Sequence, residues 1–360
     1  MSAVVFILGA GASRLAGAPL MADFLDRSEA LLRTGKVPHH REHFERILDA
    51  RGKLQAVHSK STLDISNIEE VFNAFELAKI IGAFPGGDEA YVNQAIASLR
   101  KVISVTLENL ITFPVINKSK IGPPEPYQQF AELLYHLTRV AEPNNSASVI
   151  TFNYDLAVDY ALSFNSLGPD YAIGESVGRG IPLLKLHGST NWAKCDVCGE
   201  VISFSLDDFF QKYHFPGLAD RQSVFLQLSE RLSNETHCDK ALGPEPFIVP
   251  PTWNKADHHG AIAPVWRRAA KELSEAQYIF IVGYSMPVTD AFFRLLFCLG
   301  TVGPSLIKRL IIFNPDLSGL VEARYRSLVG PGAATAFEYS ISDFEQCLGR
   351  IKNMFPGPTQ

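Results

Sequence analysis

The stretch Val4–Leu20, "VVFILGAGASRLAGAPL", opens with five apolar residues, sets Gly9 and Gly11 among small side chains, and then reaches Ala18-Pro19. Three things produce such a pattern: the core of a secretion signal, a phosphate-binding turn, or a buried strand ending in a tight glycine turn. A cleavable signal carries basic residues ahead of its apolar core. Here Met1-Ser2-Ala3 precede Val4, so the segment is expected to belong to the mature fold. An apolar run of this length, closed by glycine, reads as a strand buried on both faces.

The rest of the chain supports that reading. Its 360 residues are 46% hydrophobic and 20% charged, enough to bury a full core and far from a disordered composition. Net charge is −5 without a block of Lys or Arg, which gives no footing for direct nucleic-acid binding. The most apolar later segment, Tyr278 to Leu299, contains Asp290 and Arg294 and so does not read as a membrane span. A soluble, cytoplasmic protein is expected. The sequons at Asn144 and Asn234 then carry no meaning, and five cysteines argue for metal binding or plain burial rather than a disulfide framework.

Further short apolar runs at Ser148–Phe152, Leu183–Leu186, Tyr278–Val282 and Leu310–Phe313 read as buried strands. Helical periods lie between most of them, which predicts an α/β fold: a Rossmann-like parallel sheet with helices on both faces. The gap after the first strand is long and carries helical patterns at His43–Val57, Asn67–Ile81, Ala90–Leu110 and Tyr127–Ala141. Residues 35–126 therefore read as a mostly helical insertion within one domain spanning 1–360, with "LQAVHSKSTLD" and the Pro-rich "INKSKIGPPEPY" as its linkers.

The residues immediately after each strand point to function. They read "GAGAS", "NYD", "HGS", "GYS" and "NPD", and in a parallel sheet all five segments lie on the carboxyl-end rim, where open α/β folds bind ligands. The glycines let backbone approach a pyrophosphate, with a helix at Leu20–Leu32 expected to present its N-terminus. The dehydrogenase fingerprint is incomplete: Arg14 stands at the third glycine position, and no strand ending in Asp or Glu lies about twenty residues on. Asn153 alone reads equally as a turn residue, Asp155 as a helix N-cap, and a lone His187 as a core histidine. Their convergence on one rim is what favours a site.

In this order, "GAGAS", "TFNYD", "LKLHGS", "IVGYS" and "FNPD" resemble the sirtuin fold over most of the chain outside the insertion. With "GAP" after the glycine turn and "NIEEVF" at Asn67–Phe72, the chain is more closely similar to sirtuin-like NAD-cleaving effectors of bacterial anti-phage defence. The resemblance implies NAD as substrate. It implies that Gly9, Ala10, Gly11, Ala12 and Ser13 cradle the pyrophosphate, that Asn153, Asp155 and His187 surround the nicotinamide ribose, and that Gly283, Ser285 and Asn314 serve the adenosine half. It further implies a homo-oligomer, or gating by a nucleic-acid-dependent translocase or nuclease partner. Such a site cleaves the ribose C1–nicotinamide bond through an oxocarbenium-like state, with His187 suited to a general base.

"CDVCG" adds a second feature. Cys195 and Cys198 have zinc-knuckle spacing inside a small module at 193–245. A second CxxC is missing: Cys238 comes later as a thiol, preceded by His237, with His214 nearby in sequence, so a structural zinc and a metal-free loop of reduced cysteines are both open. Three rival functions have a foothold. "VGYSMP" resembles a hydrolase nucleophile elbow, but Pro287 replaces glycine and no His lies beyond His259. A protein deacylase of the sirtuin kind carries "GIPDFR" after the glycine turn, whereas this chain has Gly17-Ala18-Pro19-Leu20-Met21. A non-catalytic NAD or ADP-ribose sensor would not need the Asn153/His187 pair.

Overall fold

The computed structural model describes residues 3–141, 145–174, 178, 180–249, 260–287 and 290–356; His258 and His259, to which the sequence assigns no role, and Asn144 lie outside them. Seven strands form one parallel sheet: β1 (Ala3–Leu8), β2 (Ser146–Thr151), β3 (Pro169–Asp170), β4 (Ile181–Lys185), β5 (Tyr278–Val282), β6 (Arg309–Phe313) and β7 (Phe337–Ser340), in the spatial order β7-β6-β5-β1-β2-β4-β3. β1 is central, with Val4 to Leu8 each at most 1% exposed. Successive strand residues point to opposite faces, so burial of every one of them requires cover on both sides. Helices supply it: α5 (Tyr127–Tyr135) packs with α6 (Ala157–Phe164) and α11 (Phe344–Met354), while α8 (Ala263–Glu275) packs with α9 (Ala291–Gly300) and against β1 and β4. The fold is α/β and Rossmann-like, as the alternation of runs predicts.

The register positions the site. Leu8 stands opposite both Val282 and Thr151, and Thr151 opposite Lys185, so the chains leaving β1, β2, β4 and β5 emerge at one level. The chain runs outward from β1 through β2 to the β3 edge and then returns to β5 on the other side. That reversal makes the ends of β1 and β5 the topological switch point of the sheet.

Between β1 and β2 lie α1 (Phe24–Arg33), α2 (Arg41–Leu54), α3 (Ile68–Ile81) and α4 (Glu89–Leu110), of which α2 and α3 both pack on α4. Local chemistry fixes their ends. The Asn67 side chain accepts the Glu69 N–H, Asp88 accepts that of Tyr91, and Gly82 closes α3 in the left-handed conformation. Two expectations shift. The chain after Ser13 does not enter a helix at Leu20; Asp23 accepts the Leu20 N–H and α1 begins at Phe24. The segment expected as one helix to Ala141 is α-helical to Tyr135 and π-helical over His136–Ala141. β3 and β7 escape the sequence pattern because one has two residues and the other, "FEYS", is only half-buried.

Candidate active site

The glycine turn after β1 is a short 3-10 segment, Ala10–Ser13. It interlocks with the turn after β5. Gly9 N–H donates to Val282 O at 3.0 Å and Gly11 N–H to Gly283 O at 2.9 Å. A Cβ on Gly9 would stand 2.5 Å from Tyr284 Cα, and one on Gly283, at φ +63°, 2.4 Å from Ala12 N. Close approach of two backbones accounts for these glycines.

The loop after β2 closes on the same turn. Asn153, 8% exposed, donates its Nδ2 hydrogens to Gly9 O at 2.9 Å and Ser13 Oγ at 3.0 Å. Ser13 donates to Asp155 Oδ2 at 2.7 Å. Its single hydroxyl hydrogen is then spent, so in the contact with Tyr127 at 2.7 Å the phenol is the donor. Asp155 uses its other oxygen to accept the Ala157 N–H at the start of α6, at 3.0 Å. Burial pushes the Asp155 carboxyl above the usual range, opposed by the Lys185 charge, the Ala157 N–H and Ser13. Asp155 therefore orders the loop, much as the N-cap reading anticipates, although the formal cap position is Leu156.

His187 lies just past β4 and is 6% exposed. Its ring meets the edge of Phe152 at 5.2 Å and lies over Tyr154 at 6.1 Å, while Phe152 stacks on Tyr284 at 4.5 Å. The His187 carbonyl accepts the Val249 N–H at 2.7 Å. Gly188, at φ +80°, lets Phe247 O approach to 2.2 Å from where a Cβ would sit. Through Phe152, His187 is thus joined to Asn153 and to the β5 turn.

Ser285 and Asn314 stand farther along the rim, on the β5 and β6 side. Ser285 is exposed and its carbonyl accepts from Arg324 at 3.2 Å. Asn314 is buried, donating its N–H to Ser340 O and accepting the Asp316 N–H at 3.0 Å. No bond links these two to the Asn153 cluster among the described residues. From β6 to β4 the rim spans four strand spacings, about 19 Å. A cavity of about 910 Å³ lies elsewhere, beside β3, where Tyr171, Glu200, Phe204, Asp208 and His237 line it.

Two residues absent from the sequence reading belong here. Tyr127 comes from α5, directly after the Pro-rich linker. Lys185, fully buried at the end of β4, donates to Asp155 O at 2.6 Å and Asp159 Oδ2 at 2.9 Å. A charged residue closing the otherwise apolar "IPLLK" is the signal that could have found it.

The cysteine module also assembles. Strands Trp192–Lys194 and Val201–Ser203 flank Cys195 and Cys198, and a second hairpin presents His237 and Cys238. Cys238 and Asp239, at φ +51° and +58°, form its tight turn. Donor atoms of Cys195, Cys198, His237 and Cys238 all lie within 4.8 Å of one another. Three sulfurs and one imidazole nitrogen are the donor chemistry of tetrahedral structural zinc, so the residues fit the metal. The Cys198 N–H and His237 pull the Cys195 thiol down to about 6, toward the thiolate a metal needs. His214 is not among them.

No helix among the described residues is long and apolar enough to cross a membrane. No family model matches the chain, and no curated protein matches it. Among solved structures it is similar to a Sir2 homologue mutant in complex with ADP-ribose, at 17% identity over 97% of this chain and 90% of that one, with a TM-score of 0.43. It is similar also to a Sir2 homologue–NAD complex, at 16% identity, 98% and 88% coverage and a TM-score of 0.44. A Sir2–p53 peptide–NAD+ complex matches at 14% identity, 98% and 92% coverage and a TM-score of 0.42. With identities below a fifth and scores below one half, the functional reading rests on this chain's own residues.

Proposed function

We propose that this protein is an NAD hydrolase that cleaves NAD to nicotinamide and ADP-ribose. The observation that carries the reading is the Asn153 amide bonded to Gly9 O and Ser13, with His187 one strand along and in ring contact with Phe152. This puts an orienting amide and a base beside a glycine turn, on a rim long enough for an extended dinucleotide. Gly9, Ala10, Gly11, Ala12 and Ser13 form the pyrophosphate floor, and Gly283, Ser285 and Asn314 take the adenosine side. Asn153 orients the ribose or the water. Water oxygen bonds to ribose C1 as the C–N bond breaks, the bonding pair leaves with neutral nicotinamide, and His187 accepts the water proton.

Water, rather than an acyl-lysine, is favoured as acceptor by the loop after the glycine turn. The insertion pins it: Thr112 N–H donates to Ala16 O and Ile68 N–H to Met21 O. Leu20 and Met21 are part-buried there, without the Phe and Arg of deacylating sirtuins. Unrestrained hydrolysis would deplete the host of NAD. The reading therefore includes a regulated anti-phage effector, gated by homo-oligomerisation or by a nucleic-acid-dependent translocase or nuclease. Leu299, Val302 and Leu306, 75%, 78% and 83% exposed, offer apolar surface for such contacts.

The test is chromatography of nicotinamide and ADP-ribose after incubation with NAD, with and without acetyl-lysine peptide. Peptide-independent release is expected, falling by about a hundredfold or more in His187→Ala at unchanged circular dichroism. Full turnover in that variant overturns the mechanism. Strictly peptide-dependent release favours a deacylase, and ADP-ribose binding without release favours a sensor.

A further inference from the structure

We infer that Lys185 is a positioning residue that sets the separation between Asn153 and His187, an inference that rests on the hydrolase reading for its functional consequence. Lys185 is 0% exposed, as is its ion-pair partner Asp159. Its ammonium has three hydrogens, and three acceptors surround it: Asp155 O at 2.6 Å, Asp159 Oδ2 at 2.9 Å and Tyr154 O at 3.5 Å. Two of these are backbone carbonyls of the loop just after Asn153. The Tyr154 carbonyl also accepts the Thr190 N–H at 3.0 Å and the Ser189 hydroxyl at 3.3 Å.

Residues 185, 189 and 190 bracket His187, and residues 154 and 155 come directly after Asn153. The two loops are therefore stitched together on both sides of the histidine, and among these stitches Lys185 is the charged one. A carbonyl oxygen could be met by any neutral donor. A buried ammonium is expensive to desolvate, and the fold retains one where two backbone oxygens and a carboxylate converge. Asp159 is itself anchored, its Oδ1 accepting the Tyr171 hydroxyl at 2.7 Å, with Asn191 Nδ2 donating to Tyr171 at 3.1 Å. The clamp thus reaches from β4 through α6 to the β3 edge, on the side of the rim assigned to the nicotinamide half.

Lys185→Met alone leaves the Asp159 charge buried without its partner and is expected to lower stability, so it cannot separate positioning from folding. The double variant Lys185→Met/Asp159→Asn removes both charges while keeping an acceptor for Tyr171. It is expected to recover most of the thermal stability lost by the single variant, but not turnover. The kcat for nicotinamide release should stay at least tenfold below wild type, with the KM for NAD within about threefold. Amide hydrogen exchange over residues 152–156 should be faster than in wild type, a readout that needs no activity. If the double variant folds with wild-type exchange there, or with wild-type kcat, the pair is structural only and the inference fails. Absence of nicotinamide release from wild type in every oligomeric form separated by size-exclusion chromatography, with and without nucleic-acid-dependent translocase or nuclease partners, sinks the hydrolase reading instead, while the exchange measurement still decides whether Lys185 holds the loop. Should the double variant not fold, Lys185→Leu/Asp159→Asn, equally free of charge, replaces it: faster exchange than wild type at 152–156 is expected, and wild-type exchange there overturns the assignment.

Discussion

At Gly9 the missing side chain is a matter of tenths of an ångström. A Cβ there meets Tyr284 Cα at 2.5 Å and Gly283 O at 2.7 Å, both from the turn after β5. Neither contact is the end of a flexible side chain, so Gly9→Ala must push two strand ends apart. It is expected to destabilise the protein by about 1–3 kcal/mol in urea unfolding, in the range of core overpacking. Gly349 provides the contrast. It lies within α11 with nothing within 4 Å of its Cβ direction, so Gly349→Ala should stabilise by about 0.5–1 kcal/mol through helix propensity alone. Equal effects from the two substitutions would refute the claim that the glycine turn is defined by backbone contact. The same scale separates Asn153 from Asp155. Both are buried; Asn153 spends its amide hydrogens on Gly9 O and Ser13 Oγ, while Asp155 has each carboxylate oxygen committed to a partner in the fold, to Ser13 and to Ala157.

Among the elements, α4 carries the clearest pH signature. Glu108, near its end, is fully enclosed and accepts the Ser229 N–H at 2.7 Å and the Ser229 hydroxyl at 2.5 Å, capping the 3-10 segment Ser229–Asn234. Burial pushes its carboxyl up to about 8, aided by Glu230 and opposed by Ser229 and Lys101. Since the folded-state value lies above the unfolded one of about 4.5, the fold favours the protonated form. Its contribution is complete below about pH 4.5 and is lost as pH rises toward 8. Glu108→Gln keeps a carbonyl for the Ser229 N–H and removes the titration. The variant should therefore be more stable than wild type at pH 8, by on the order of 4 kcal/mol, and the gap should close toward pH 4.5. Melting temperatures across that range measure it, and parallel curves for the two proteins would show that Glu108 does not titrate as stated.

Across the whole molecule, the sheet rim and the cysteine module are separate constructions, joined by the chain that runs from His187 through Trp192 to Cys195. Because the four sulfur and nitrogen donors come from two hairpins and none from a strand end of the main sheet, metal should stabilise the module without entering the rim chemistry. Metal analysis is expected to give close to one zinc per chain. Chelation or Cys198→Ser should lower the melting temperature while leaving ADP-ribose binding within about threefold; metal-free protein with an unchanged melting temperature would refute the site. Much of this architecture was legible in the sequence. Apolar runs with glycine or polar residues behind them gave β1, β2, β4, β5 and β6, because a strand buried on both faces admits little but apolar residues. Helical periods likewise gave α2, α3 and α4. The two edge strands were not legible, since a short or half-exposed strand leaves no such pattern. The sequence did point to Cys238 and His237 as partners of the CxxC, which the structure brings together, but it could not say that Gly9 and Gly11 meet Gly283, that Tyr127 reaches Ser13 across 114 positions, or that His214 stays apart from the cluster. These depend on which strand lies beside β1 and how two hairpins face each other, and such long-range pairings are set by packing the whole chain, not by the composition of any one segment.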